Sequence, residues 1–286
     1  MLVKPHTQLP RGIDLPDSDD SPVDNENQNF LPNYLLFLLG EIWKERRDWY
    51  FGVDMGVYYP TAVDPKVAVV PDGFLSLGVP RRRPSGPRSN YTIWEENNVT
   101  PQFVLEVVSK TYGNEYDLAF EKPKNPKPGE EDQQKILPGK LGIYEAMGVL
   151  YYAIYNPEFW QRDGHQALEI YKLVGGRYQP QTVEPYWMPE IGLALGRCQV
   201  AVGGLELEAL SWFDAEGDRY LFSEELTELE RQGRLWESQL REQAETRARQ
   251  ERQQREEAEA RAARAETENE VLRQRLRELG IDPNDL

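Results

Sequence analysis

"PQFVLEVVSKT", residues 101–111, decides how this chain is read. From Phe103 to Val108 every side chain but one suits a core, and the exception, Glu106, sets a carboxylate in the middle of an apolar strand. A buried, unpaired carboxylate costs several kcal/mol, so proteins neutralise it, pair it or place it on a metal ion. The stretches on either side contain the possible partners.

Upstream, "KVAVVPDGFLSL" (residues 66–77) reads as a strand broken at Pro71-Asp72-Gly73, because a proline interrupts pairing and marks an edge or a bulge. A loop rich in Pro, Gly and Arg, "GVPRRRPSGPRSNYTIWEENNV" (78–99), separates it from the Glu106 strand. Strands joined in this way are expected to be adjacent and antiparallel, which brings Asp72 to Glu106. Two carboxylates in a poorly solvated site repel each other unless a cation lies between them. Oxygen donors without histidine or cysteine favour Mg²⁺ or Mn²⁺ over zinc. Two histidines, His6 and His165, and one cysteine, Cys198, leave no intramolecular disulfide and no multi-cysteine zinc site. A nearby lysine would complete a phosphate-cleaving site, and Lys110, Lys122, Lys135 and Lys140 are the candidates. On the residues alone, a turn-capping Asp72 and a Glu106 paired with an arginine remain open as well.

Downstream, "SKTYGNEYDLAFEKPKNPKPGEEDQQKILPG" (109–139) carries an aperiodic insertion at about 119–138. Helical patterning resumes in "KLGIYEAMGV" (140–149), and "VLYYAIYNP" (149–157) is the continuous apolar run of a central strand. "ALEIYKLVGGRYQP" (167–180) predicts a hairpin through Gly175-Gly176, and residues 192–221 read as further short strands. Near the start, "NYLLFLLGEIWKERRDW" (33–49) puts Tyr34, Leu35, Leu38, Leu39, Ile42 and Trp43 on one helical stripe, with Glu41 beside it, either solvated or turned inward. "WYFGVDMGVYY" (49–59) follows as a strand. A helix, several strands, then a helix and a buried strand make an α/β fold with a central mixed sheet flanked by helices.

Three regions are expected: a flexible leader over 1–24, a domain over 25–222 and a helical extension over 223–286. In the extension Leu226, Leu229, Trp236 and Leu240 fall at a/d spacing, as do Ala258, Ala262, Ala265, Leu272, Leu276 and Leu279, in registers that need a stutter between them. That pattern predicts a coiled coil that joins copies into a homo-oligomer or binds another partner, with a lone solvated helix as the alternative. The net charge is −16, and with 17 acidic against 12 basic residues from Glu224 onward, −11 of it falls on residues 1–223. Such a charge argues against a general nucleic-acid coat but not against a local basic groove. Arg81, Arg82, Arg83 and Arg88 are either that groove or a solvated loop. The N-terminal stretch has no h-region, no apolar run reaches the roughly 18 residues of a membrane span, and a cytoplasmic protein is expected. His165 reads as a turn residue, Cys198 as a small core residue, and Tyr151, Tyr152 and Tyr155 as sheet core.

Taken in order, "VPDGFLSL", "PQFVLEVVSKT" and "KLGIYEAMGVLYYAIYNP" resemble the successive motifs of the Uma-two family, predicted endonucleases of the PD-(D/E)XK superfamily with a restriction-endonuclease-like fold. The matching residues are Pro71-Asp72, Glu106-Val107-Val108-Ser109, Asp117, Lys140 with Tyr144, and Gly148-Val149 through Asn156-Pro157, over roughly residues 25–215. The resemblance implies a metal-dependent endonuclease acting on DNA, with Asp72 and Glu106 as ligands of Mg²⁺ or Mn²⁺ and Lys140 as the catalytic lysine. Val108 stands where the superfamily usually has its lysine, and the insertion lengthens the step from Asp117 to Lys140, which keeps Lys122 in contention. A catalytically silent nuclease fold, working as a regulatory or assembly module through its coil, is the alternative.

Overall fold

The computed structural model describes residues 9–16, 26–62, 64–84, 86–110, 114–121, 136–202 and 205–278. They fall into two compact units, 1–221 and 222–286. The first holds α1 (Glu26–Ile42), β1 (Trp49–Val53), β2 (Val57–Tyr58), β3 (Gly73–Leu77), β4 (Tyr91–Thr92), β5 (Phe103–Val107), β6 (Ala119–Glu121) and β7 (Ile136–Pro138). It continues with α2 (Lys140–Met147), β8 (Tyr151–Tyr155), α3 (Trp160–Asp163), β9 (Leu168–Val174), β10 (Arg177–Gln181), β11 (Tyr186–Met188), β12 (Leu193–Val202) and β13 (Leu205–Phe213).

Six strands form the main sheet in the order β1-β3-β5-β8-β9-β10. β5 and β8 pair in parallel at its centre and every residue in both is buried, because helices or strands cover both faces. All other pairs are antiparallel, so the sheet is mixed, as the alternation of elements predicts. A parallel pair requires a crossover, and α2 lies within it. The β9–β10 hairpin turns at Gly175 and Gly176, whose φ angles of 60° and 79° suit a primed turn.

The strand alternation sorts the core into two layers. Phe74, Val104, Val108, Tyr152 and Ile154 join Tyr144, Met147 and Val149 on the α2 side. On the other side Phe103 meets Trp212 of β13, ring centroids 5.5 Å apart, and the indole N–H of Trp212 donates to the Leu35 carbonyl of α1 at 3.0 Å. This contact couples α1 to the sheet of β11, β12 and β13.

Several expectations are refined. α1 starts at Glu26 and passes through Pro32 instead of beginning at Asn33. Glu41 is exposed, which settles its orientation toward solvent. Pro71 and Asp72 precede β3 instead of breaking it, and β3 is an interior strand, so no ladder bond is lost to the proline. Residues 9–16, inside the stretch expected to be a flexible leader, dock on the domain. The Gly12 N–H donates to Glu95, and Asn90 and Trp94 donate to the carbonyls of Gly12 and Pro10. At the insertion, β6 and β7 pair antiparallel, and residues 122–135, with Lys122 and Lys135, lie outside the described residues.

The arginine loop divides: Arg81 and Arg82 are exposed, whereas Arg83 and Arg88 turn to a buried carboxylate. Arg83 and Arg88 both donate to the buried Glu96, through Nε at 2.6 and 2.7 Å, and Arg88 is itself buried beneath its stacking on Tyr50. A buried carboxylate needs such partners, so the sequence places them close by. Arg81 stacks on Trp49 at 3.6 Å.

The second unit is α4 (Ser223–Glu278), 56 residues long and therefore about 84 Å from end to end. None of its residues is buried, and Leu226, Leu229, Leu235, Trp236, Leu240, Val271 and Leu272 are exposed. Pairs such as Glu228–Arg231 and Glu257–Arg261 run along its surface.

Candidate active site

The register of β3 on β5 assembles the site. Gly73 pairs with Leu105, so Asp72, one residue outside β3, falls opposite Glu106. Its Oδ2 accepts the Val107 N–H at 2.6 Å, and its backbone carbonyl accepts the Asp54 N–H at 3.1 Å. Glu106 occupies the α2 side of β5, where α2 presents Lys140 and, one turn later, Tyr144. The Lys140 ammonium donates to Glu106 Oε2 at 2.8 Å and the Tyr144 hydroxyl to Oε1 at 2.6 Å.

The height of α2 over the sheet is fixed by backbone contact. Gly139 and Gly142 lie against residues 117–118, where an added Cβ would be 2.2 Å from the Asp117 carbonyl oxygen and 2.1 Å from that of Leu118. Backbone N–H groups of Gly139, Lys140 and Gly142 donate to the carbonyls of Leu118, Asn114 and Asp117. Asn114 takes a φ of 69°, which asparagine tolerates better than most residues. Gly148 closes the helix with a φ of 84°. The same stitching brings Glu115 to the site, its Oε1 3.6 Å from the Lys140 ammonium.

Burial dominates the electrostatics. It pushes the Asp72 carboxyl up to about 8, and the charge of Glu106 adds to the rise against the opposing Val107 N–H and Lys140. Glu106 is raised too, again by burial first, with Lys140 opposing. For Lys140, burial works against the charged form, but Glu106 and Glu115 outweigh it and hold the group protonated. Tyr144 is raised by burial and then by Glu106, so its hydroxyl stays a donor. With Lys140 and Tyr144 both donating to Glu106, the ionised form belongs to Glu106, and near neutral pH the pair's proton resides on Asp72.

The side chains of Asp72 and Glu106 offer oxygen donors only. Magnesium-like ions are commonly held by one or two carboxylates, with water and phosphate completing the shell. A dication there would relieve the repulsion that raises Asp72, so the pair fits a hard cation in both charge and donor type. Among the described residues no group of three or more His, Cys, Asp or Glu could hold a metal ion. A cavity of about 620 Å³ lies elsewhere, lined by Trp160, Glu169, Thr182, Glu184 and Arg197, and includes none of the residues above.

Asp72, Glu106 and Lys140 are thus adjacent, with Tyr144 as an added contact. Lys110 is exposed beyond the end of β5. Val108 is buried in the α2-side core, on the face where a strand lysine would have pointed. Asp117 contributes its backbone to α2, and Glu115 is the acid of that segment that reaches Lys140. Its spacing from any motif gave no signal, because only the docking of residues 114–118 on α2 brings it in. Gln28 was also missed; its side-chain amide donates to the Val107 carbonyl at 3.2 Å. His165 stacks flat on Tyr116, centroids 3.5 Å apart, and meets Glu169 at 3.0 Å.

The sequence profile of a family described as "Uma2: Putative restriction endonuclease" matches residues 20–203. Among solved structures, one described as "a putative nuclease belonging to DUF820" from Anabaena variabilis is similar at 10% identity and a TM-score of 0.36, over 59% of this chain and 74% of that one. No curated protein matches the chain.

Proposed function

The chain belongs to the Uma2 family, and on that premise we propose that it is a metal-dependent endonuclease hydrolysing phosphodiester bonds of DNA. In this reading Asp72 and Glu106 hold Mg²⁺ or Mn²⁺, Lys140 is the catalytic lysine, and the protein works in the cytoplasm. The single observation that carries it is the convergence of a buried carboxylate, Glu106, a half-buried one, Asp72, and a lysine at the ends of β3 and β5, in a family described as nucleases.

A hard dication bound there would polarise a phosphoryl oxygen and acidify a bound water. The protein's part is positional. The Val107 N–H fixes Asp72, Tyr144 fixes the Glu106 rotamer, and Lys140 pairs with Glu106 while no cation is bound. Lys140 keeps its side chain 26% exposed, so its ammonium can reach a phosphate and oppose the negative charge that grows on the phosphoryl oxygens. Water oxygen bonds to phosphorus as the bond to the departing oxygen breaks; the water loses a proton, and the departing oxygen gains one and leaves as a hydroxyl.

One observation favours the silent assembly module as a second reading: Arg83 and Arg88, which could have gripped DNA phosphates, are engaged by Glu96. In either reading α4, with its exposed apolar positions and no buried residue, supports pairing with a second copy. No described helix is long and apolar enough to cross a membrane. The deciding experiment is cleavage of plasmid and single-stranded DNA with Mg²⁺ or Mn²⁺ by wild type, Asp72→Ala and Glu106→Ala, with Mn²⁺ binding measured in parallel. Cleavage and binding by wild type, lost in both variants, support the nuclease. Neither activity in wild type leaves the assembly module.

A further inference from the structure

We infer that Glu115 is a positioning residue that receives the Lys140 ammonium when a cation takes the Glu106 carboxylate. This rests on the reading of Asp72 and Glu106 as the cation-holding pair. Lys140 stands between two carboxylates, 2.8 Å from Glu106 Oε2 and 3.6 Å from Glu115 Oε1. A dication bound to Glu106 cannot share that oxygen with an ammonium at hydrogen-bond distance, since two positive charges so close in a poorly solvated site repel strongly. Lys140 must therefore leave Glu106.

The structure provides a place for it. The Glu115 side chain is 8% exposed, and its acceptor lies 0.8 Å farther from Nζ than Glu106 Oε2, so a small torsional change completes the exchange. The backbone on both sides stays fixed during it. Tyr152 donates to the Glu115 carbonyl at 2.9 Å, and the Lys140 N–H donates to the Asn114 carbonyl at 3.0 Å. Without Glu115, the partly exposed Lys140 stays drawn to Glu106 and Asp72, and it competes with the cation for them.

The test is a cycle of Mn²⁺ affinities on the full chain, with wild type, Glu115→Gln, Lys140→Met and the double variant. Glu115→Gln should weaken Mn²⁺ binding about tenfold, equivalent to about 1.4 kcal/mol. In the Lys140→Met background the same change should have a much smaller effect, because no ammonium is left to relocate and only the direct charge of Glu115 on Glu106 remains. Equal weakening in both backgrounds would show Glu115 acting on the ion directly and overturn the inference, as would no weakening in either. Glu115→Ala, run through the same cycle, keeps the test decisive if the glutamine variant folds poorly. Wild type that binds no Mn²⁺ defeats the cation reading itself, and this inference with it. Wild-type binding lost in Asp72→Asn shows that reading standing, so a failed cycle then counts against Glu115 alone.

Discussion

Asp72→Asn should make the metal-free protein more stable, and increasingly so as pH rises. In the folded chain the Asp72 carboxyl titrates at about 8, against 3.8 when unperturbed, because burial and the Glu106 charge disfavour its ionised form. A group raised in this way contributes fully below its unfolded value, and that contribution is lost as pH rises toward the folded value. Between about pH 4 and pH 8 the unfolded chain has released the proton while the folded chain retains it, which removes about 1.4 kcal/mol of stability per pH unit. At pH 7 the accumulated cost is on the order of 4 kcal/mol, and partial solvent access to Asp72 trims it to roughly 2–4 kcal/mol. Asparagine has no proton to lose. Its amide oxygen can take the Val107 N–H and its amide nitrogen can donate to Glu106, so the local hydrogen bonds survive. Urea denaturation in EDTA across this range should show the advantage of the variant widening with pH and levelling off above about pH 8. Near neutrality it should melt several degrees higher, at roughly 2–4 °C per kcal/mol for a domain of this size. Mn²⁺ should stabilise wild type and leave the variant unchanged. A wild type equally stable across the range, or a variant less stable than wild type at about pH 8.5, would refute the account.

Other substitutions probe the supports of the site. Lys140→Met leaves Glu106 with Tyr144 as its remaining charge-stabilising donor and should cost about 2–3 kcal/mol in urea denaturation while abolishing DNA cleavage. Gly142→Ala places a methyl 2.1 Å from the Leu118 carbonyl oxygen, so it should destabilise by about 1–3 kcal/mol and reduce Mn²⁺ binding by shifting α2. On α4, Leu272→Glu combined with Trp236→Glu should convert a species of twice 33.1 kDa into a monomer by light scattering, with the melting of the first unit unchanged. A full-length wild type that is already monomeric would remove the coil from the proposal.

The juxtaposition of Asp72 and Glu106 was legible because strand chemistry is local. Glu106 stood out as the one charge in an apolar run, and Asp72 followed from the broken pattern one loop upstream, since antiparallel neighbours joined by a loop fall into register. Tyr144 was named beside Lys140 only through the family resemblance, and the structure puts both on Glu106 because residues four apart share a helix face. What escaped depends on tertiary placement. Glu115 reaches Lys140 only because residues 114–118 are stitched to the first turn of α2, and no periodicity marks such a contact. Arg81 and Arg82 are exposed, as a solvated loop would have them, but the ion pairs of Arg83 and Arg88 escaped, because a cationic loop looks the same in sequence whether it faces solvent or a buried Glu96. Pro71 was read as an edge signal although it precedes an interior strand, where its missing N–H removes nothing from the ladder.

In the proposed site the lysine comes from a helix and not from the Glu106 strand, which changes what the site depends on. A lysine at position 108 would have been carried by the same strand as Glu106, two residues away on the same face, and set by the pleat alone. Val108 fills that position with core, and the lysine arrives from α2, after an insertion that begins and ends in the short β6–β7 pair. Its placement then rests on the two glycines that let the helix lie against residues 117–118 and on the three backbone hydrogen bonds beside them. Disturbing that docking should therefore draw Lys140 away from both Glu106 and Glu115 while leaving Asp72 and Glu106 in register. Gly142→Ala should accordingly weaken Mn²⁺ binding less than Asp72→Asn does, yet depress cleavage as severely as Lys140→Met. Equal losses of binding in the two variants would instead mean that the sheet, and with it the carboxylate pair, had moved along with the helix.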